Sequence, residues 1–311
     1  MKGIEIAKSF YEEFGAAMIA ENFPELESKI AIGLVGEGSE CFGFDDEISR
    51  DHDFEPGFCM FIPDDIDSRT EFKLERAYAK LPKEYMGIER LKIKPVGGSR
   101  HGVIRTSDFY RAKTGSADGF KSISEWINIP EFYLAAATNG EVFKDNLGEF
   151  TALRNHYLNM PEDVRLKKLA GCLIMMNQSG QYNYLRCIKH GETGAAQLAV
   201  HEFSQNAMKA IFLLNRRYMP FYKWSFRAMR ELAILPELAD SLEFLISSDN
   251  EADTVNTKCA VIEDISGLII EQLKKQDLTD LSCDDLEKYA YSVNDRISDS
   301  TLRTAHIMMT V

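Results

Sequence analysis

The stretch "GEGSECFGFDDEISRDHDFEPGFCMFI", Gly36 to Ile62, decides how the rest of the chain is read. It follows one short apolar run, "KIAIGLVG", and closes on another, "FCMFI". Both runs suit buried strands. Between them lie glycines at 38, 43 and 57 and eight acids, six of them crowded after Phe44: Asp45, Asp46, Glu47, Asp51, Asp53 and Glu55. Crowded like charges repel, so a counter-charge is expected. In an extended D-H-D, the side chains of Asp51 and Asp53 share one face and His52 takes the other. Two carboxylates on one face suit Mg²⁺ or Mn²⁺, hard cations that take oxygen ligands and share them with substrate phosphates. Gly38 lets the backbone approach a phosphate, and Ser39 offers a hydroxyl and neighbouring N–H groups. A helix starting at Ser39 would add its dipole.

Other residues of the stretch leave alternatives open. Arg50 either contacts phosphate or forms a surface ion pair. Asp45, Asp46 and Glu47 either line the rim of a site, facing a cationic acceptor, or shape a turn; the turn is the preferred reading. Pro56 and Gly57 predict a bulge or an edge position before the second strand.

Working outward, the 311 residues predict one large domain or two modest ones. A net charge of −13 argues against gripping nucleic acid through the general field. The first residues carry no secretory apolar segment, and no apolar run reaches the ~18 residues a membrane helix needs. The expectation is a cytoplasmic protein with no membrane partner. Six cysteines without a C-x-x-C pair read as reduced thiols, mostly buried, rather than a zinc site.

The N-terminal part reads as mixed α and β. "IEIAKSFYEEFGAAMIAENF" has helical spacing, "DDIDSRTEFKLERAYAKL" is a helix with acids in its first turn, and "GGSRHGVIRTSDFY" holds a third strand. From Ser124, taken as a capping residue of "SEWINIPEFYLAAAT", apolar positions recur at helical spacing almost to the end. The expected class is therefore α+β. An α/β domain with a short mixed sheet spans 1–122, and a C-terminal helical bundle spans 123–311.

The order strand, Gly38-Ser39, short helix and Asp51-x-Asp53 resembles the shared motif of the nucleotidyltransferase superfamily, which includes DNA polymerase β and the kanamycin and lincosamide nucleotidyltransferases. More narrowly, "GFDDEISRDHD" with the later "NRRYMPFYKW" resembles a bacterial family of nucleotidyltransferase-like proteins known as a domain of unknown function. His52 departs from the wider superfamily, where many members carry an apolar residue. The resemblance implies metal-dependent transfer of a nucleoside monophosphate from a nucleoside triphosphate to a hydroxyl, with release of pyrophosphate. Asp51 and Asp53 would hold the metal, and Gly38 and Ser39 the phosphates. The acceptor would be a small molecule, aminoglycoside-like or a metabolite. Alternatives are a nucleotide-binding sensor without catalysis and an enzyme that transfers AMP to a protein.

The superfamily also implies a third carboxylate. Asp145 in "NGEVFKDNLGEF" is the preferred base, over Asp108 after the third strand, although Asp145-Asn146 also reads as a turn. In "LLNRRYMPFYKWSFRAMREL", Lys223 and Tyr222 follow the helix-breaking Pro220. They read either as triphosphate and base contacts or as an aromatic corner with solvated basic residues. Arg186 is a weaker candidate for the same role. An R-x4-6-H ribonuclease signature is not met, because three residues separate Arg186 from His190.

Overall fold

The structure, a computed structural model, describes residues 1–48, 54–90 and 100–310. Helix α1 (Gly3–Phe10) runs through a π-helical turn (Tyr11–Gly15) into α2 (Ala16–Asn22). Then come β1 (Ala31–Leu34), α3 (Ser39–Phe42), β2 (Cys59–Ile62), α4 (Ser68–Ala79), the two-residue strands β3 (Glu84–Tyr85) and β4 (Ile88–Glu89), and β5 (Gly102–Arg105). Helices α5 (Thr106–Thr114), α6 (Ile123–Asn128) and α7 (Glu131–Thr138) precede β6 (Glu141–Lys144) and α8 (Glu149–Leu158). The remainder is helical: α9 (Glu162–Met176), a π-helical stretch (Asn177–Tyr184), α10 (Leu185–Lys189), α11 (Thr193–Leu214), α12 (Tyr222–Met229), α13 (Leu238–Ser247), α14 (Ala252–Lys275), α15 (Leu286–Asp295) and α16 (Ser300–Thr304). Among the described residues, no helix is long and apolar enough to cross a membrane.

The chain forms two compact units. The first holds residues 1–121 and 132–159, the second 122–131 and 160–311. Residues 132–159, placed with the helical half from sequence, thus pack with the sheet. The reason is β6, which pairs antiparallel with β1 through Ile32↔Lys144, Gly33↔Val142 and Leu34↔Glu141. The second half is therefore not wholly helical.

The sheet has the order β5-β2-β1-β6. β1 and β2 are antiparallel (Gly33↔Cys59), and β2 and β5 are parallel (Cys59↔Gly102). β2 is an interior strand, so of the bulge or edge position expected at Pro56-Gly57 the edge is not found. The proline causes no conflict because β2 starts after Pro56 and Gly57, so no ladder hydrogen bond is lost. All four β2 residues are buried, since both faces are covered. Phe58, Met60 and Ile62 pack with Phe10, Ile19, Ile32 and Leu74 on one face. Phe61 stacks on Phe150 at 4.0 Å on the other and meets the edge of Phe109 at 5.1 Å. Gly15 in the π turn is required by closeness, since a Cβ there would lie 2.4 Å from the Phe58 ring.

Local signals act as physical chemistry dictates. Asp67 caps α4 by accepting from the N–H groups of Arg69 and Thr70 at 3.0 and 3.1 Å. The cap of α6 is Ser122, not Ser124. Ser122 has Glu125 three residues on, whose carboxylate accepts the Ser122 N–H at 2.8 Å to close a capping box. Ser124 has Ile127 at that spacing and cannot form one.

In the second unit, α9 packs against α11 and α15 and is buried over almost its full circumference. Among the buried lysines of this unit, Lys167 and Lys258 are fully enclosed. Lys167 donates to Asn294 Oδ1 at 2.9 Å and to the Ala305 carbonyl at 2.7 Å. Lys258 donates to the Ser248 carbonyl at 2.9 Å and to Gln197 Oε1 and Asn250 Oδ1, each at 3.2 Å. Burial lowers the pKa of both, and neutral oxygens supply the hydrogen bonds that a buried ammonium requires.

Candidate functional site

One end of the sheet carries the Gly38–Ser39 turn. β1 ends there at Leu34, and the antiparallel and parallel pairings put the starts of β2, β5 and β6 at the same end. The turn after β1 runs Gly36-Glu37-Gly38 into Ser39, the first residue of α3. Gly36 and Gly38 have φ of 127° and 134°, where residues with a Cβ are strained. At Gly38 a Cβ would also lie 2.3 Å from Glu40 Oε1, because the Glu40 side chain folds back beneath the turn. Glu40 is buried, and Ser39 Oγ lies 3.5 Å from its Oε2. Ser39 is half-buried.

The turn is fixed from far along the chain. The Gly36 N–H donates to Asn139 Oδ1 at 2.9 Å, and Asn139 Nδ2 donates back to the Gly36 carbonyl at 2.7 Å. The Gly140 N–H donates to the Cys41 carbonyl at 2.8 Å, which ties α3 to the start of β6. Gly140 has no room for a side chain, since a Cβ would lie 1.9 Å from the Leu34 carbonyl oxygen. Arg154 on α8 donates to the carbonyls of Asn139 and Gly140, both at 3.1 Å. Sequence reading missed Asn139 and Arg154. The adjacent "NG" at 139–140 was the available signal, and it reads only as a turn.

An ion pair and a histidine–carboxylate contact flank the turn end of the sheet. Glu37 pairs with Lys113 of α5, whose ammonium lies 5.7 Å from the centre of the Phe109 ring. His101, just before β5, has Nδ1 3.1 Å from Glu55 Oε1, and both side chains are largely buried. Neither Lys113 nor His101 stood out in the sequence, because both sit in contexts without a motif.

The thiols here are inert. Burial raises Cys59 to about 12 and Cys41 well above its ordinary value, so neither is a thiolate near neutral pH. All six cysteines are free; Cys41, Cys59 and Cys172 are buried, and Cys187, Cys259 and Cys283 are partly so.

Of the residues proposed from sequence, Gly38 and Ser39 lie at this sheet end. Arg50, Asp51 and Asp53, with His52, lie outside the described residues. Among the described residues, no group of three His, Cys, Asp or Glu is arranged to hold a metal ion. The turn reading holds for Asp46, which accepts from the Ile48 N–H at 3.1 Å, whereas Asp45 is buried and accepts the Gly3 N–H at 2.9 Å at the start of α1.

Asp145 follows β6 at the opposite end of the sheet, beyond the Ile32↔Lys144 pair. Its two oxygens accept from the N–H groups of Gly148 and Thr151 at 2.9 and 2.8 Å, so it caps the start of α8. Asp108 is also at that end, one turn into α5 after Arg105, in an exposed pair with Arg111 at 2.8 Å. The structure brings neither acid to the Gly38–Ser39 turn. In the second unit, Lys223 and Tyr222 open α12 and are exposed, with the Lys223 ammonium 4.3 Å from the centre of the Trp224 ring.

Residues 126–225 match the family described as Domain of unknown function (DUF4037). The matched span runs from α6 into α12. It includes Asn139, Arg154, Tyr222 and Lys223 and excludes the Gly36–Ile62 stretch. No curated protein matches the chain.

Proposed function

We infer that the protein is a metal-dependent nucleotidyltransferase, a phosphorus-group transferase that uses a nucleoside triphosphate and a small hydroxyl-bearing acceptor. The observation that carries this reading is that the Gly36–Ser39 turn and the chain entering β2 share one sheet end. In the sequence Asp51 and Asp53 precede Cys59, the first residue of β2, and β2 is the antiparallel neighbour of the strand that leads into the Gly-Ser turn. In this reading the acceptor hydroxyl attacks the α-phosphorus in line. A new P–O bond forms, the α–β bridging P–O bond breaks, pyrophosphate leaves and the hydroxyl proton passes to solvent. Gly38 admits the phosphates close to the backbone, and Ser39 donates to their oxygens. Asp51 and Asp53 would hold Mg²⁺ or Mn²⁺, which stabilises charge on the attacking and leaving oxygens. Asp145 is not assigned a part, because its carboxylate caps α8 at the other sheet end.

The test is pyrophosphate release by the full chain with Mg²⁺, each of the four ribonucleoside triphosphates and a panel of aminoglycosides and hydroxylated metabolites. Release that disappears in Asp51→Asn, with the thermal transition unchanged, supports the reading. Equal release by Asp51→Asn and wild type overturns it. Tight nucleotide binding with no release under any condition would mark a nucleotide-binding sensor instead.

A further inference from the structure

We propose that Lys113 is a polyphosphate-binding cation of the Gly36–Ser39 turn, and that Glu37 holds it masked until the phosphates of a nucleotide displace the carboxylate. The proposal rests on the nucleotide reading above and adds a residue and a mode of regulation to it.

The two partners are unequally placed. The Lys113 side chain is 13% exposed, whereas that of Glu37 is 51% exposed. The cation is the anchored member: Lys113 stands on α5 one helical turn beyond Phe109, and its ammonium sits over that ring. Phe109 in turn is packed under the turn itself, since a Cβ on Gly36 would lie 3.7 Å from the ring. Gly36 is locked by the two Asn139 hydrogen bonds, so the position of the ammonium relative to the turn is set by packing on both sides. The Cys59 thiol at the start of β2 also feels the Lys113 charge, which puts that charge near the end of β2 that follows the acidic stretch. The carboxylate is the more exposed member. It extends from the tip of the turn, and its hydrogen bond is to Lys113.

A surface pair between two exposed, flexible chains is worth little. Here a cation is held mostly out of water, and its counter-ion can swing away without moving the backbone. A phosphate chain resting on the turn would bring several anionic oxygens to the ammonium, more than the single carboxylate supplies. Glu37 would then compete with the ligand. It would lower affinity and suppress binding of singly charged anions, while a polyphosphate overcomes it.

This predicts a gain of binding on removing a charge from the site. The hydrolysis-resistant analogue α,β-methylene-ATP is titrated with Mg²⁺ by calorimetry into wild type, Glu37→Gln, Lys113→Met, Lys113→Arg and the double variant. Glu37→Gln is expected to bind several-fold more tightly and Lys113→Met about tenfold more weakly, the scale of one charge-assisted hydrogen bond. Lys113→Arg should recover most of the loss, and the double variant should match Lys113→Met. Glu37→Gln binding that is unchanged or weaker, while wild type binds, overturns this proposal and leaves the nucleotide reading standing. No heat from wild type with the analogue, with ATP or with inorganic pyrophosphate overturns both. Thermal melts accompany each variant, and a Lys113→Met loss that Lys113→Arg does not recover counts against the phosphate role.

Discussion

The Asn139 carboxamide holds both main-chain groups of Gly36, 103 residues earlier in the chain, with hydrogen bonds of 2.9 and 2.7 Å. The pair joins the residue before β6 to the turn after β1, so the edge strand and the candidate phosphate turn are positioned together. Asn139→Ala leaves a buried N–H and carbonyl of Gly36 without these partners and should cost about 1–3 kcal/mol. Asn139→Asp keeps the acceptor for the N–H but sets a carboxylate oxygen against the Gly36 carbonyl, so it should also destabilise. Urea unfolding of the full chain measures both, and equal midpoints for wild type and Asn139→Ala would refute the linkage.

Gly38→Ala meets two obstacles that separate experimentally. The φ of 134° disfavours any Cβ, and the Cβ would press on the Glu40 carboxylate at 2.3 Å. The backbone strain alone is of order 1–3 kcal/mol. The double variant Gly38→Ala/Glu40→Ala should recover the contact part and retain the strain. Thermal unfolding of the four species in a mutant cycle reads the coupling, and strict additivity would mean that Glu40 does not fill that space.

Acid stability should depend on Glu162. Arg165 donates to it at 2.6 and 3.0 Å and Arg216 at 2.8 Å, and these hydrogen bonds depress its pKa to about 2. A carboxylate with a depressed folded-state value stabilises the protein above its ordinary value near 4.5, and the contribution is lost as pH falls toward about 2. Glu162→Gln should flatten the decline of stability between these pH values while lowering stability at neutral pH. The group is partly exposed, so added salt should shrink the difference. Parallel slopes for wild type and variant across that window would contradict the assignment.

Lys223→Ala distinguishes the two readings of the α12 start. As a triphosphate contact its loss should weaken nucleotide binding by about 1–3 kcal/mol. As a solvated lysine resting on Trp224, its loss should leave affinity unchanged and cost only the cation–π contact, about 0.5–1 kcal/mol at an exposed position. Calorimetry and thermal unfolding on the same sample separate the outcomes.

What the sequence by itself determined was local. Alternation and apolar runs located β1, β2 and β5, and helical periodicity located most helices, because these follow from backbone geometry and side-chain spacing within a few residues. Gly36 and Gly38 were legible as glycine positions for the same reason. Long-range packing decided the rest. β6 looked like part of a helical half, because four residues carry little pattern until Gly140 meets the Leu34 carbonyl. In the "VRLKKLAG" segment, Lys167 and Lys168 are buried, which charge alone does not suggest. Their ammonium groups are satisfied by carbonyl and carboxamide oxygens and, for Lys168, by Glu131 at 2.8 Å. Asp145 and Asp108 read as candidate bases, because a sequence gives residue type but not the end of the sheet at which a strand delivers it. Lys113 was invisible for the converse reason. Only the return of α5 from the far end of the sheet carries its ammonium back to Glu37, and a contact of that kind follows from strand direction, which pairing alone sets.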